Sequence, residues 1–267
     1  MTADPTYRGF ALDAETALAL LQWQAEMGAD EPCLDAAIDR YDLPDRAEIA
    51  AAAPKPAPAA RPRDEAEDLT ARAEAMAAGA ASLTALAEAQ EAFDGIELRK
   101  GARNFCFADG NPGARVMIVG EAPGEAEDRP GRPFVGRAGQ LLDLMFQAIG
   151  LSRKAVDAEK AIYITNVLPW RPPQNRRPEP GEIAMMLPFL RRHVELVQPD
   201  MLVLMGNTPC IALLNQQGIL KLRGTWTEAF GLPALPMTHP AYLLRAPLAK
   251  REAWADLLSL SARLDGG

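Results

Sequence analysis

The sequence predicts a three-layer α/β/α fold around a central four-stranded parallel sheet, with a helical N-terminal extension. Three observations carry this. Short unbroken apolar runs recur beyond residue 100. Longer stretches of helical periodicity separate them, and strands alternating with helices imply a parallel sheet covered on both faces. Before them lies a stretch too rich in alanine and proline to join either pattern.

In chain order, residues 13–28 form an amphipathic helix on sequence, with Ala14, Leu18, Leu21 and Ala25 on one side and Gly28 as a stop. Residues 50–62 (A-A-A-A-P-K-P-A-P-A-A-R-P) are a linker, because repeated proline removes backbone donors and favours extended polyproline II. The expected division is therefore a helical acidic extension over 1–49, a linker over 50–64 and an α/β domain over 65–267. A helix rich in Ala, Glu and Leu is expected from about Glu65 to Phe93. The predicted strands are Arg115–Val119, Ala161–Thr165, Met201–Met205 and a weaker Ala234–Met237. The helices between and after them are Ala138–Ile149, Pro180–Val197, Thr208–Asn215 and Ala246–Leu264.

Composition excludes several functions. Hydrophobic residues make up 48% and charged residues 24%, enough for a packed core. No apolar run approaches the ~20 residues of a membrane span, and no basic-then-apolar leader opens the chain. Cys33, Cys106 and Cys210 are far apart and form no CxxC, so neither a disulfide framework nor an all-cysteine metal site is expected. His193 and His239 are too few for a histidine-rich metal centre, and a reducing cytoplasm is the expected compartment. The net charge of −8 is uneven. Residues 1–90 hold 17 acidic and 7 basic side chains, the remainder 19 and 21. Such asymmetry hints at nucleic-acid contact.

Ligands of parallel sheets bind beyond the carboxyl ends of the strands, so the loops after Val119, Thr165 and Met237 should line one site. They hold the unusual residues. The first is G-E-A-P-G-E-A-E-D (120–128) with G-R-P-F-V-G (131–136). The second is T-N-V (165–167) with R-P-P-Q-N-R-R-P (171–178), and the third is H-P-A-Y-L-L-R (239–245). Pro and Gly in the first loop fix a tight turn and let backbone approach a flat ligand. Phe134 fits a core phenylalanine by type, but its place after a strand-end turn favours a face on which a flat ligand stacks. Asn166 is either a turn-forming cap or the reader of a ligand edge that presents both an acceptor and a donor, since its amide offers one of each. His193 lies inside a predicted helix and fits a structural or surface role.

With these three motifs in order, the chain over about residues 85–262 resembles the uracil-DNA glycosylase superfamily, most closely the family 4, iron–sulfur type enzymes. The resemblance implies hydrolysis of the N-glycosidic bond of deoxyuridine in DNA, leaving an abasic site; a pocket-bearing but non-catalytic repair scaffold is the alternative. It implies that His239 stabilises the negative charge gathering on uracil O2, an effect often worth ~3–4 kcal/mol per donor. It makes Glu121, Ala122, Gly124, Phe134 and Asn166 the base-binding set. Ala122 stands where related family 1 enzymes carry a water-orienting aspartate. Glu127 first, then Asp128, are the acids that could hold the water, although both could instead cap the next helix or bind arginine. Leu243 and Leu244 are candidates for the wedge that offsets base extrusion, with one of them expected in the core. Arg171, Arg176, Arg177 and Arg245 are phosphate-binding candidates that equally fit a solvated surface.

The resemblance also implies a four-iron, four-sulfur cluster, and here the chain departs from it. The four ligand positions fall on Phe93, Ile96, Trp170 and Met186, which are bulky and apolar. The expectation is no metal and no cofactor, with a hydrophobic plug in the cluster's place. The loop Q-N-R-R-P lacks the histidine through which some relatives capture DNA covalently. The expected partner is uracil-containing DNA rather than a membrane, with a monomeric chain and an extension whose open roles are to bind a partner protein, to shield the DNA groove or to aid solubility.

Overall fold

The computed structural model describes residues 63–266 and, in the N-terminal part, Thr6–Tyr7, Phe10–Ala11, Thr16 and Leu18. The chain divides into two compact units, Met1–Ala60 and Arg61–Gly267. In the first, β1 (Thr6–Tyr7) pairs antiparallel with β2 (Phe10–Ala11). Thr16 and Leu18 are helical; the rest of the expected 13–28 helix and the 50–62 linker lie outside the described residues.

The second unit opens with α1 (Arg63–Ala78) and α2 (Leu83–Ala92), where the sequence predicts one helix. The break has a local cause. Gly79 ends α1, and the Ser82 hydroxyl caps α2 by accepting from the Ala85 amide at 3.1 Å. A short α3 (Leu98–Gly101) precedes the sheet.

The sheet has six strands rather than four. Its parallel centre is β4 (Val116–Gly120), β5 (Ile162–Asn166), β6 (Met201–Met205) and β8 (Leu232–Met237), each within two residues of expectation at either end. Antiparallel edges β3 (Ala108–Gly110) and β7 (Thr227–Ala229) complete the order β3-β5-β4-β6-β8-β7. Three-residue strands are too short to show a period, which is why the edges are silent in sequence.

Side chains alternate between two cores. Met117, Val119, Leu202 and Leu204 face the layer of α1, α2 and α6 (Pro180–Val197). Val116, Ile118, Met201 and Val203 face α5 (Arg137–Gln147) and α10 (Lys250–Asp265). The remaining helices are α4 (Glu125–Asp128), α7 (Asn207–Leu214), α8 (Ile219–Leu222) and α9 (Pro240–Arg245). The helix expected over 246–264 begins only at Lys250, because Pro247 starts a separate 3₁₀ turn after α9. Sequential strands β4, β5 and β6 place β4 between the other two, so the chain reverses direction across β4. Crevices form at such a switch point, outside the strands' carboxyl ends.

His193 lies in the first core, 3% exposed. Its Nε2 meets the Tyr163 hydroxyl at 3.0 Å and its ring stacks on Phe107 at 4.3 Å. Burial lowers its pKa from 6.5 to about 3. The folded state therefore keeps it neutral while the unfolded chain takes up a proton below pH 6.5, so its contribution is intact above that pH and falls on acidification. Between pH 7.5 and pH 5 the protein should lose about 2 kcal/mol of unfolding free energy through this group. In His193→Gln, which keeps a partner for Tyr163, denaturant unfolding at pH 5 should take up about one proton fewer. An unchanged slope would remove His193 from this role.

Candidate functional site

Gly120 and Asn166 are register partners at the carboxyl ends of β4 and β5. The ladder continues beyond them, with the Val167 amide donating to the Gly120 carbonyl at 2.9 Å. A Cβ on Gly120 would lie 2.3 Å from Asn166 Oδ1 and 2.5 Å from the Phe134 ring. Only a bare backbone lets the amide and the ring close on it. Asn166 is 5% exposed, and its Oδ1 is buried without a hydrogen-bond partner. A buried carbonyl oxygen left unsatisfied costs about 1–3 kcal/mol, so this atom is set to accept from a ligand N–H.

Phe134 adopts a left-handed φ of 53° and is 6% exposed. Its ring centre is 5.4 Å from that of His239, tilted by 30°. The Asn166 amide and the Phe134 ring thus meet beside Gly120, with the His239 ring next to Phe134. Glu127 fixes the loop that carries Phe134. Its Oε1 accepts from the amides of Val135 at 3.0 Å and Gly136 at 2.7 Å, and Oε2 accepts from Gly124 at 3.2 Å. One carboxylate therefore ties the 120–128 loop to the 131–136 loop.

His239 follows β8 and caps α9, whose first turn contains Pro240. Its Nδ1 accepts from the Ala241 amide at 3.1 Å, so that nitrogen is unprotonated and the ring's proton sits on Nε2. Burial lowers the pKa to about 4; the Glu127 charge opposes this and the Arg245 charge adds to it. The imidazole is accordingly neutral near pH 7 and offers a single N–H donor. Gly206 lies against the His239 side chain, and its φ of 103° is what calls for glycine there.

The other sequence candidates separate. Asp128 is 3% exposed, and its Oδ1 accepts from the amides of Arg103 at 2.9 Å and Asn104 at 3.2 Å. It braces the preceding segment, and the expectation that it holds water is corrected. Glu121 Oε2 accepts from the Thr208 hydroxyl at 2.5 Å, joining the first loop to α7. Ala122 packs against the first core. Leu243 is 1% exposed, a core residue and not a wedge, whereas Leu244 is 39% exposed. Arg176 is engaged by both carboxylate oxygens of Glu182, at 2.9 and 2.6 Å, which leaves it a poor phosphate ligand. Arg171 binds Asn175 at 2.8 Å. Arg177 and Arg245 are exposed, and no ion pair involves either among the described residues.

Sequence reasoning missed Gly120 as the clearance, Gly139 and Arg153. A Cβ on Gly139 would lie 1.7 Å from the Phe134 carbonyl oxygen. Arg153 donates to that same oxygen at 2.9 Å. Neither residue sits in a motif, and no periodicity marks a residue that acts through another.

The residues at the expected cluster positions do not fit an iron–sulfur group. Phe93, Ile96, Trp170 and Met186 are 0–3% exposed and belong to one core. Phe93 meets Phe189 edge-on at 5.6 Å, Trp170 lies 5.4 Å from Phe105, and the Gln90 amide donates to Met186 Sδ at 3.7 Å. Burial raises the thiols of Cys106 and Cys210 to about 12, with the charges of Asp128 and Glu127 adding to the rise at Cys106. Among the described residues no three His, Cys, Asp or Glu side chains are grouped to hold a metal.

The family described as the uracil DNA glycosylase superfamily matches residues 107–258. The type-4 uracil-DNA glycosylase of Thermotoga maritima is 41% identical over 145 residues, covering 53% of this chain and 72% of that protein. The type-4 enzyme of Sulfurisphaera tokodaii is 40% identical over 154 residues, 54% of this chain and 67% of the other. That of Saccharolobus solfataricus is 36% identical over 178 residues, 63% of this chain and 80% of the other.

The apolar plug makes a direct prediction. The purified protein should be colourless and free of stoichiometric iron by metal analysis. A brown preparation with about four irons per chain would contradict it.

Proposed function

The chain belongs to the uracil-DNA glycosylase superfamily, and on that premise we propose that it hydrolyses the N-glycosidic bond of deoxyuridine in DNA, releasing uracil and leaving an abasic site. The observation that carries the chemistry is the unsatisfied, buried Oδ1 of Asn166 beside the Phe134 ring. Uracil supplies what this atom lacks, an N3–H, while the Asn166 amide nitrogen donates to O4. Cytosine has no proton at N3 and leaves Oδ1 orphaned, at the cost of an unpaired buried polar group.

A base in a duplex cannot reach such a crevice, so the nucleotide is extruded and its ring stacks against Phe134. As the bond to the sugar breaks, electrons collect on the uracil ring, and the neutral His239 Nε2–H donates to O2. A fixed donor aimed at developing charge acts on the transition state more than on the bound substrate. The sugar is left oxocarbenium-like and is captured by water. Glu127 Oε2, which holds only the Gly124 amide, has acceptor capacity left for that water. Leu244 is the wedge into the vacated stack, and Arg177 and Arg245 are the cations for phosphate. Retention of a neutral imidazole with its proton on Nε2 favours hydrolysis over a scaffold that only binds.

His239→Ala should slow single-turnover cleavage of a uracil oligonucleotide by roughly two to three orders of magnitude, with affinity much less affected. Asn166→Asp should also slow it, because a carboxylate cannot donate to O4 and repels the forming anion. Parental cleavage by His239→Ala would reduce this histidine to a loop residue.

A further inference from the structure

Arg153 belongs to none of the three motif loops, yet it holds one of them. Its side chain is 5% exposed. Nη1 donates to the Pro133 carbonyl at 3.0 Å and Nη2 to the Phe134 carbonyl at 2.9 Å. On its other side, Nε donates to Asp143 at 2.7 Å and Nη1 to Asp109 at 3.0 Å. Burial pushes the Asp109 carboxyl up, but the hydrogen bonds from Arg132 and Arg153 outweigh it and hold the group below the usual carboxylate range. Three separate segments therefore converge on one guanidinium: β3 through Asp109, the 131–136 loop, and α5 through Asp143.

The loop needs such a hold. Phe134 has φ 53°, an uncommon conformation for a bulky side chain that persists only where its surroundings over-determine it. Its carbonyl is pressed against Gly139 on one side and gripped by Arg153 on the other. The amides that follow, Val135 and Gly136, are held by Glu127. The backbone on both sides of the ring is thus pinned by ionic side chains, and the ring's freedom is reduced to its side-chain torsions.

We propose that Arg153 is a positioning residue: anchored on Asp109 and Asp143, its planar guanidinium clamps the Pro133 and Phe134 carbonyls and so places the ring that receives the extruded base. The inference rests on the reading of this crevice as a uracil site. A lysine keeps the charge near both aspartates, but a single ammonium on a flexible stem cannot reproduce the fork that spans two carbonyls and two carboxylates.

The test compares Arg153→Lys, Phe134→Leu and the double variant in the full chain, on one uracil-containing single-stranded oligonucleotide. Binding, single-turnover cleavage and amide exchange at Val135 and Gly136 are read for each. Arg153→Lys should bind within about threefold of the parent, cleave about 10- to 100-fold more slowly and exchange those amides faster. In the Phe134→Leu background the same change should cost less than about twofold, because no ring remains to be placed. Parental cleavage by Arg153→Lys, or an equal loss in both backgrounds, overturns the proposal. Should Arg153→Lys fail to fold, Asp143→Ala removes the anchor that is 45% exposed and should give a smaller loss in the same direction; no loss there overturns it too. If the unaltered chain does not cleave, the functional reading falls by itself, and unchanged amide exchange in Arg153→Lys then decides against the clamp.

Discussion

At the carboxyl end of β4 the Gly120 backbone lies against the Phe134 ring and the Asn166 amide, nearer to both than any Cβ permits. The rest of the site depends on that clearance. Asn166 is brought there by its register with Gly120 in the parallel ladder, and the apolar runs of β4 and β5 set that register by burial on both faces. Phe134 is brought there by its loop, through Glu127, Gly139 and Arg153. His239 arrives from β8 and stands against the Phe134 ring. Gly120, Asn166 and Phe134 meet where one side chain is missing, and His239 joins them through the Phe134 ring.

Much of this was legible in the sequence, for a physical reason. Apolar runs such as Met201–Met205 are continuous because parallel strands are covered on both faces, and Pro180–Val197 is periodic because one of its faces is buried. The loops after β4, β5 and β8 were marked by Gly, Pro, Asn and His, residue types with special backbone or hydrogen-bonding chemistry. What sequence hid has no repeating pattern. The edge strands are three residues long. The choice between Leu243 and Leu244 is a helix phase visible only once α9 is placed against the second core. Asp128 and Glu127 are adjacent acids with similar prospects on paper. Which one faces backbone amides at the site, and which braces residues 103–104, follows from the orientation of a four-residue helix.

The cluster positions show one structural task met by different chemistry. In the family 4 resemblance, four thiolates would tie the segment before the sheet to the helix after β5 through a metal group. Here Phe93, Ile96, Trp170 and Met186 join the same segments by burial. Full burial of such side chains contributes about 1.5–3 kcal/mol each, so packing can replace the tie without a cofactor. No step of the proposed hydrolysis passes through this region. Its task is to hold α1, α2 and α6 against the face of the sheet opposite α5 and α10.

The clearance at Gly120 can be closed with one methyl group. Its φ lies outside the left-handed region, so alanine meets no backbone penalty there, and the nearest obstacles are the side-chain ends of Phe134 and Asn166. Gly120→Ala should therefore fold and displace both from the crevice. Single-turnover cleavage of a uracil oligonucleotide by Gly120→Ala is the most direct measurement of the account. It predicts a loss of about 100-fold or more with an unfolding midpoint near that of the parent. Cleavage at the parental rate would contradict it, because the ring and the amide could then do their work without meeting at this glycine.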